Sequence, residues 1–144
     1  LKEELYQILR DIYDNSGKNF AGLGIVVSKE IEALPISPIY NAKFNASESD
    51  LSESLRRLSV IENPLHDGFH VLSNRLELIH NSQYFFPTPI KDVKLNPELG
   101  YGTRYLVAKI GSALPQVLFS AVVGNSYGIQ FFENGREIEI MKHD

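Results

Sequence analysis

The chain has 144 residues with no cysteine, and 14 Lys and Arg stand against 18 Asp and Glu for a formal charge of −4. That length predicts a single domain over residues 1–144 with core enough to fold unaided. The lack of cysteine excludes a disulfide framework, a thiolate nucleophile and a cysteine zinc site, and the acidic balance argues against a general nucleic-acid surface, so no DNA partner is expected.

No apolar run approaches the roughly 20 residues of a membrane span. No charged-then-apolar signal segment opens the chain either, so a cytoplasmic location without a membrane segment is expected. The first residue is Leu1 rather than methionine, which predicts a fragment of a longer protein.

Leu1, Leu5, Ile8, Leu9 and Ile12 recur at helical spacing opposite Lys2, Glu3, Glu4, Arg10 and Asp11, which predicts an amphipathic helix over 1–13. Asn15-Ser16-Gly17 stops it, with Gly17 suited to a left-handed cap. Leu23–Val27 reads as a buried central strand. From 31 to 45 two prolines leave room for an edge strand at most. Asn45-Ala46-Ser47 fits a glycosylation acceptor pattern, without any sign of secretion to give it meaning. Ser47–Asp50 carries N-cap chemistry for a second helix to about residue 59, its buried stripe being Leu51, Leu55 and Leu58.

Asn63-Pro64-Leu65-His66-Asp67-Gly68 comes next, followed at once by the apolar strand Phe69–Leu72. An imidazole and a carboxylate thus stand at a strand mouth, beside a glycine that leaves the backbone open to a ligand. The same residues also make an ordinary Asx-type turn. Ser73-Asn74 would turn the chain into a second strand at 75–79, with Asn74 as the turn residue.

Tyr84-Phe85-Phe86 is the densest aromatic patch. Aromatics fill cores more often than they bind bases, so two are expected in the core, with Phe85 the candidate to stack on a base. Gly102-Thr103-Arg104 opens a helix running through Ile110. Free N–H groups at its positive end, a hydroxyl and a guanidinium would cradle a phosphate, although such residues also simply cap helices. Strands at 117–123 and 129–132 follow, separated by a polar turn from Gly124 to Gly128. Asn134-Gly135 signals a type I′ hairpin into 138–141. The pattern predicts an α/β domain: a mixed central sheet flanked by helices.

Pro64-Leu65-His66-Asp67-Gly68-Phe69, Phe85-Phe86-Pro87-Thr88, and Glu98-Leu99-Gly100 with Gly102-Thr103-Arg104 resemble, in order and separation, the motifs of the diadenylate cyclase domain family. The likeness runs from about residue 5 to 140. It implies a diadenylate-cyclase-like fold binding ATP or a cyclic dinucleotide. In the active family, two domains facing each other condense two ATP into cyclic di-AMP, so a face-to-face homo-oligomer is implied. Carried over by motif, Asp67 would activate the ribose 3′-hydroxyl, and His66 would help hold a divalent Mg or Mn on the triphosphate. Gly68, Gly102, Thr103 and Arg104 would line the phosphates, and Phe85 would lie against adenine.

Three departures stand out. The family's Asp-Gly-Ala is Asp67-Gly68-Phe69 here, and its Arg-His-Arg is Arg104-Tyr105-Leu106. Its Ser-Glu-Glu-Thr-Gly turn is Gly124-Asn125-Ser126-Tyr127-Gly128, which has no carboxylate. Phosphoryl transfer depends on positioning and charge neutralisation, and one charge-assisted contact carries about 1.5–3 kcal/mol. The expectation is therefore a nucleotide-binding domain impaired in catalysis and serving as a sensor or regulatory module. The alternatives are an active nucleotidyltransferase, with Tyr105 or Tyr127 replacing a lost contact, and a structural or partner-binding domain on the same fold. A zinc site from His66, His70 and His80 is disfavoured, because i, i+4 spacing in a strand holds the first two well apart.

Overall fold

A computed structural model describes residues 1–44, 50–89, 92–96 and 99–140. The acceptor pattern at 45–47, the first residues of the predicted second cap, Glu98 and Met141 lie outside the described residues. Among the described residues, seven strands form one sheet in the order β2-β4-β3-β1-β5-β6-β7. These are β1 (Leu23–Ser28), β2 (Ile36–Pro38), β3 (Phe69–Leu72), β4 (Leu78–Phe85), β5 (Val117–Gly124), β6 (Gly128–Glu133) and β7 (Arg136–Ile138). Only β1 and β3 pair in parallel, with Ile25 opposite His70; the other pairings are antiparallel, so the sheet is mixed.

Every residue of β1 is buried. This follows from its place at the middle of the sheet, covered on both faces, and explains its unbroken apolar run. Alternate side chains feed two cores. Leu23, Ile25 and Val27 point to the face covered by α1 (Lys2–Asp14) and α2 (Leu51–Arg57), where they meet Leu5, Leu9, Leu55 and Leu58. Val26 points to the other face, under α3 (Thr103–Gly111), among Phe69, Phe85, Tyr105, Ala108 and Val122. Leu5 and Leu9 are fully buried, each contributing about 1.5–3 kcal/mol. No helix among the described residues is long and apolar enough to cross a membrane.

Three local expectations change. Helix α1 closes on Asn15, whose N–H donates to the Asp11 carbonyl while the Ser16 N–H donates to that of Tyr13, and Gly17 is not in the left-handed region. The turn after β3 is longer than a two-residue hairpin. Ser73 Oγ accepts from the Arg75 and Glu77 N–H groups, and Leu76, rather than Asn74, takes the positive φ of 59°. Strand β4 therefore begins at Leu78 and carries the first two aromatics of the Tyr84–Phe86 run at its end. The Asn134-Gly135 hairpin has the expected positive φ at both residues, 53° and 78°. The proline-limited segment is an edge strand, β2.

Candidate functional site

Parallel pairing of β1 with β3 sets their N-terminal ends side by side, and the antiparallel neighbours β4 and β5 bring their C-terminal ends to the same edge. The Asp67 turn, the end of β4 and the Gly124–Gly128 turn are gathered there. Helix α3 also begins there, and its Arg104 side chain lies across β1, donating from a guanidinium nitrogen to the Ala21 carbonyl at 3.0 Å. Gly24 makes room for that crossing. A Cβ on it would lie 3.1 Å from Arg104 Cδ and 3.0 Å from the Phe69 ring.

Arg104 is largely buried, and burial pulls its pKa below the ordinary guanidinium value; Tyr127 and Asp67 act in the opposite sense. No carboxylate among the described residues comes within ion-pair distance of it. Among the described residues this partly buried cation has the Ala21 carbonyl as its hydrogen-bond acceptor and no carboxylate in contact, so its charge is not directly paired. Burial raises the pKa of the Tyr127 phenol, with Arg104 opposing it.

Asp67 is half exposed and held from two sides. The Tyr40 hydroxyl donates to Oδ2 at 3.3 Å, and His66 Nε2 lies 3.3 Å from Oδ1. The other His66 nitrogen, Nδ1, is 2.7 Å from the Asn63 carbonyl. A carbonyl only accepts, so Nδ1 carries the hydrogen. A neutral His66 therefore turns a lone pair toward a carboxylate. That pair is favourable when the ring is protonated or a cation bridges the two atoms. One imidazole and one carboxylate would suit a divalent ion that accepts mixed nitrogen and oxygen ligands and takes the rest from water and phosphate. Among the described residues, no group of three or more His, Cys, Asp or Glu side chains could hold a metal unaided.

Two residues expected at the ligand have other work. Phe85 is buried, edge-on to Phe69 with ring centroids 5.4 Å apart, and packs on the bare face of Gly111. The exposed aromatics are its neighbours: Tyr84 and Phe86 stack on one another at 5.9 Å and 27°. Strand alternation decides this, since turning Phe85 inward turns residues 84 and 86 out. Gly68 has φ +78°, and a Cβ there would lie 2.5 Å from both the Gln83 carbonyl oxygen and Ile39 Cδ1. The glycine admits the close approach of the Gln83 backbone.

The predicted cradle divides. Gly102, at φ 89°, and Thr103 are exposed at the start of α3, with no acidic residue on its first turn. They border a cavity on the β7 side of the helix, whereas Arg104 reaches the β1 side. Phe69 and Tyr105 are both buried in the core beneath α3. Tyr105 also completes a ring cluster with Tyr101 and Tyr127, at centroid distances of 4.8–5.4 Å.

Sequence reasoning missed Tyr40 and the role of His70. Tyr40 follows an edge strand and reaches Asp67 only through long-range pairing. His70 is fully buried; its Nδ1 accepts the Ser82 N–H at 3.0 Å, where β4 bulges at a positive φ of 53°. Among the described residues its Nε2 has no hydrogen-bond partner. Burial, then the charges of Arg104 and His66, push its pKa down to about 3. His80 is exposed on β4, so the three histidines do not share one environment.

No protein-family model matches the chain, and no curated protein does. Among solved structures it is similar to a hypothetical membrane spanning protein from Bacillus cereus. The two are 23% identical with a TM-score of 0.65, over 94% of this chain and 62% of that one. At that identity the likeness shows the α/β fold alone, and the chain spans less than two thirds of its structural relative.

Proposed function

We propose that this is a nucleotide-binding, diadenylate-cyclase-like domain whose catalytic machinery is impaired and which serves as a sensor or regulatory module. The observation that carries the reading is Arg104: a partly buried guanidinium with no carboxylate at ion-pair distance among the described residues, on the same sheet edge as Asp67. A phosphate group is the anion such a site would take. The open N-terminus of α3 adds favourable dipole charge nearby. His66 and Asp67 would share the divalent Mg or Mn that accompanies the triphosphate.

Calorimetric titration with ATP and cyclic di-AMP tests this, alongside incubation with ATP or GTP and Mn²⁺ or Mg²⁺ and chromatography of the products. Binding without turnover is the expected result. A cyclic product that disappears in Asp67→Asn would make the domain an active cyclase instead.

A second reading, a structural or partner-binding domain on this fold, is favoured by the burial of Phe69 and Tyr105. Both stand where the family resemblance places smaller or charged groups, and both are absorbed into the core. Failure of every nucleotide to bind would select it.

A further inference from the structure

On the β7 side of α3 lies a cavity of about 530 Å³ that the nucleotide reading does not use, apart from Gly102 and Thr103 at its mouth. Its size falls in the range of pockets that enclose a small organic molecule. The walls are chiefly apolar: Leu99, Tyr101, Leu106 and the ring of Tyr105. Three polar groups meet on one side. Lys109 Nζ is 2.8 Å from Glu137 Oε1, and the Tyr105 hydroxyl donates to Oε2 of the same carboxylate at 3.1 Å.

Burying a lysine to this depth, 8% exposed on the inner side of a surface helix, is costly unless it is paired. Burial works to raise the Glu137 pKa, but the Lys109 and Tyr105 contacts leave it lowered overall. Glu137 is thus favoured as a carboxylate. Both Glu137 oxygens already accept a bond. The Lys109 ammonium has three donors and, among the described residues, meets only Glu137, so the cavity presents donor capacity inside an apolar wall. Such a wall favours a flat or branched apolar body, and the ammonium favours an accepting head such as a carboxylate, a sulfonate or a carbonyl.

We infer that this cavity is a second ligand site, which takes a small molecule with an apolar ring-sized body and an acidic or carbonyl head bonded to Lys109. Tyr105 connects it to the Arg104 edge. Its hydroxyl is held by Glu137 in the cavity wall, and its ring lies 5.1 Å from that of Tyr127, whose phenol faces the field of Arg104. Occupancy that moves Glu137 moves the Tyr105 contact with it. The link to Arg104 rests on the nucleotide reading; the site itself does not.

The test uses 1-anilinonaphthalene-8-sulfonate, an apolar ring system with an anionic head whose fluorescence rises in apolar surroundings. Saturable 1:1 binding is expected, weakened at least tenfold in Lys109→Met and in Leu106→Trp, and kept in Arg104→Met. Leu106 is partly exposed, so tryptophan there fills the cavity mouth without entering the core, and far-ultraviolet circular dichroism checks each fold. Binding that is absent, non-saturable, or unchanged in both cavity variants overturns the site. The dye is then titrated with ATP present and absent. A shift in dye affinity establishes the link; an unchanged dye affinity removes the link. If ATP itself does not bind, the nucleotide reading fails while the dye result still decides the cavity.

Discussion

Phe85 stands edge-on to Phe69 across the β3–β4 pair, with its ring seated on Gly111 of α3. The two rings lock the end of β4, the strand after Asp67 and helix α3 into one packed unit. Truncating a well-buried phenylalanine costs about 3–5 kcal/mol. Phe85→Ala is therefore expected to lose stability of that order in urea denaturation. Tyr84→Ala and Phe86→Ala, at exposed positions, should stay within about 0.5 kcal/mol of the parent. If a planar base is bound at this edge, the outward pair is what it meets, so these two variants weaken nucleotide binding without unfolding the domain. A stable Phe85→Ala protein would contradict the packing described here.

Gly68 permits a related separation. Its φ of +78° is strained for any residue with a side chain, and the Gln83 carbonyl closes the space where a Cβ would go. Left-handed backbone alone costs about 1–2 kcal/mol. Gly68→Ala is expected to lower the thermal midpoint by several degrees whether or not ligand is present. A variant that melts like the parent but fails to bind ATP would restore the glycine to a direct role at the ligand.

How much of this was legible in the chain follows from range. Helix α1, the buried run of β1 and the Asn134-Gly135 turn rest on local period and local turn chemistry, and all three appear as read. Phe85 could not be placed from sequence, because Tyr84, Phe85 and Phe86 are chemically alike and only the strand register says which one faces α3. The bulge at Ser82 depends on His70, twelve residues away, supplying the acceptor that the ladder lacks. No local pattern announces a partner at that distance.

His70 gives the fold a pH dependence with a definite sign. Its folded pKa of about 3 lies below the ordinary histidine value of 6.5, so the unfolded chain binds the extra proton first. The neutral ring's contribution is complete above pH 6.5 and is lost as pH falls toward 3. The slope reaches about 1.4 kcal/mol per pH unit for one such group. Denaturant midpoints measured at pH 7, 6, 5 and 4 should fall along this window. His70→Gln keeps a side-chain acceptor near Ser82 but cannot take the proton, so its profile should be flatter by about one group. Equal slopes for the two proteins would mean that His70 charges freely in the folded state.

Arg104→Met separates a binding role from a structural one. The guanidinium gives up hydration on partial burial and, among the described residues, receives one carbonyl bond in return. Replacing a partly buried charge that lacks an ion-pair partner with an apolar side chain of similar length removes that desolvation cost and keeps most of the packing. The thermal midpoint without ligand should therefore hold or rise. The cost should fall on the anion instead. Loss of a charge-assisted contact of about 1.5–3 kcal/mol corresponds to a roughly 10–150-fold weaker ATP affinity by calorimetry. Arg104→Lys should recover only part of it, because an ammonium offers a point charge where the guanidinium offers a planar fork. The opposite pattern, a lower melting point with nucleotide affinity untouched, would make Arg104 a brace between α3 and β1 and would remove the charge argument on which nucleotide binding stands.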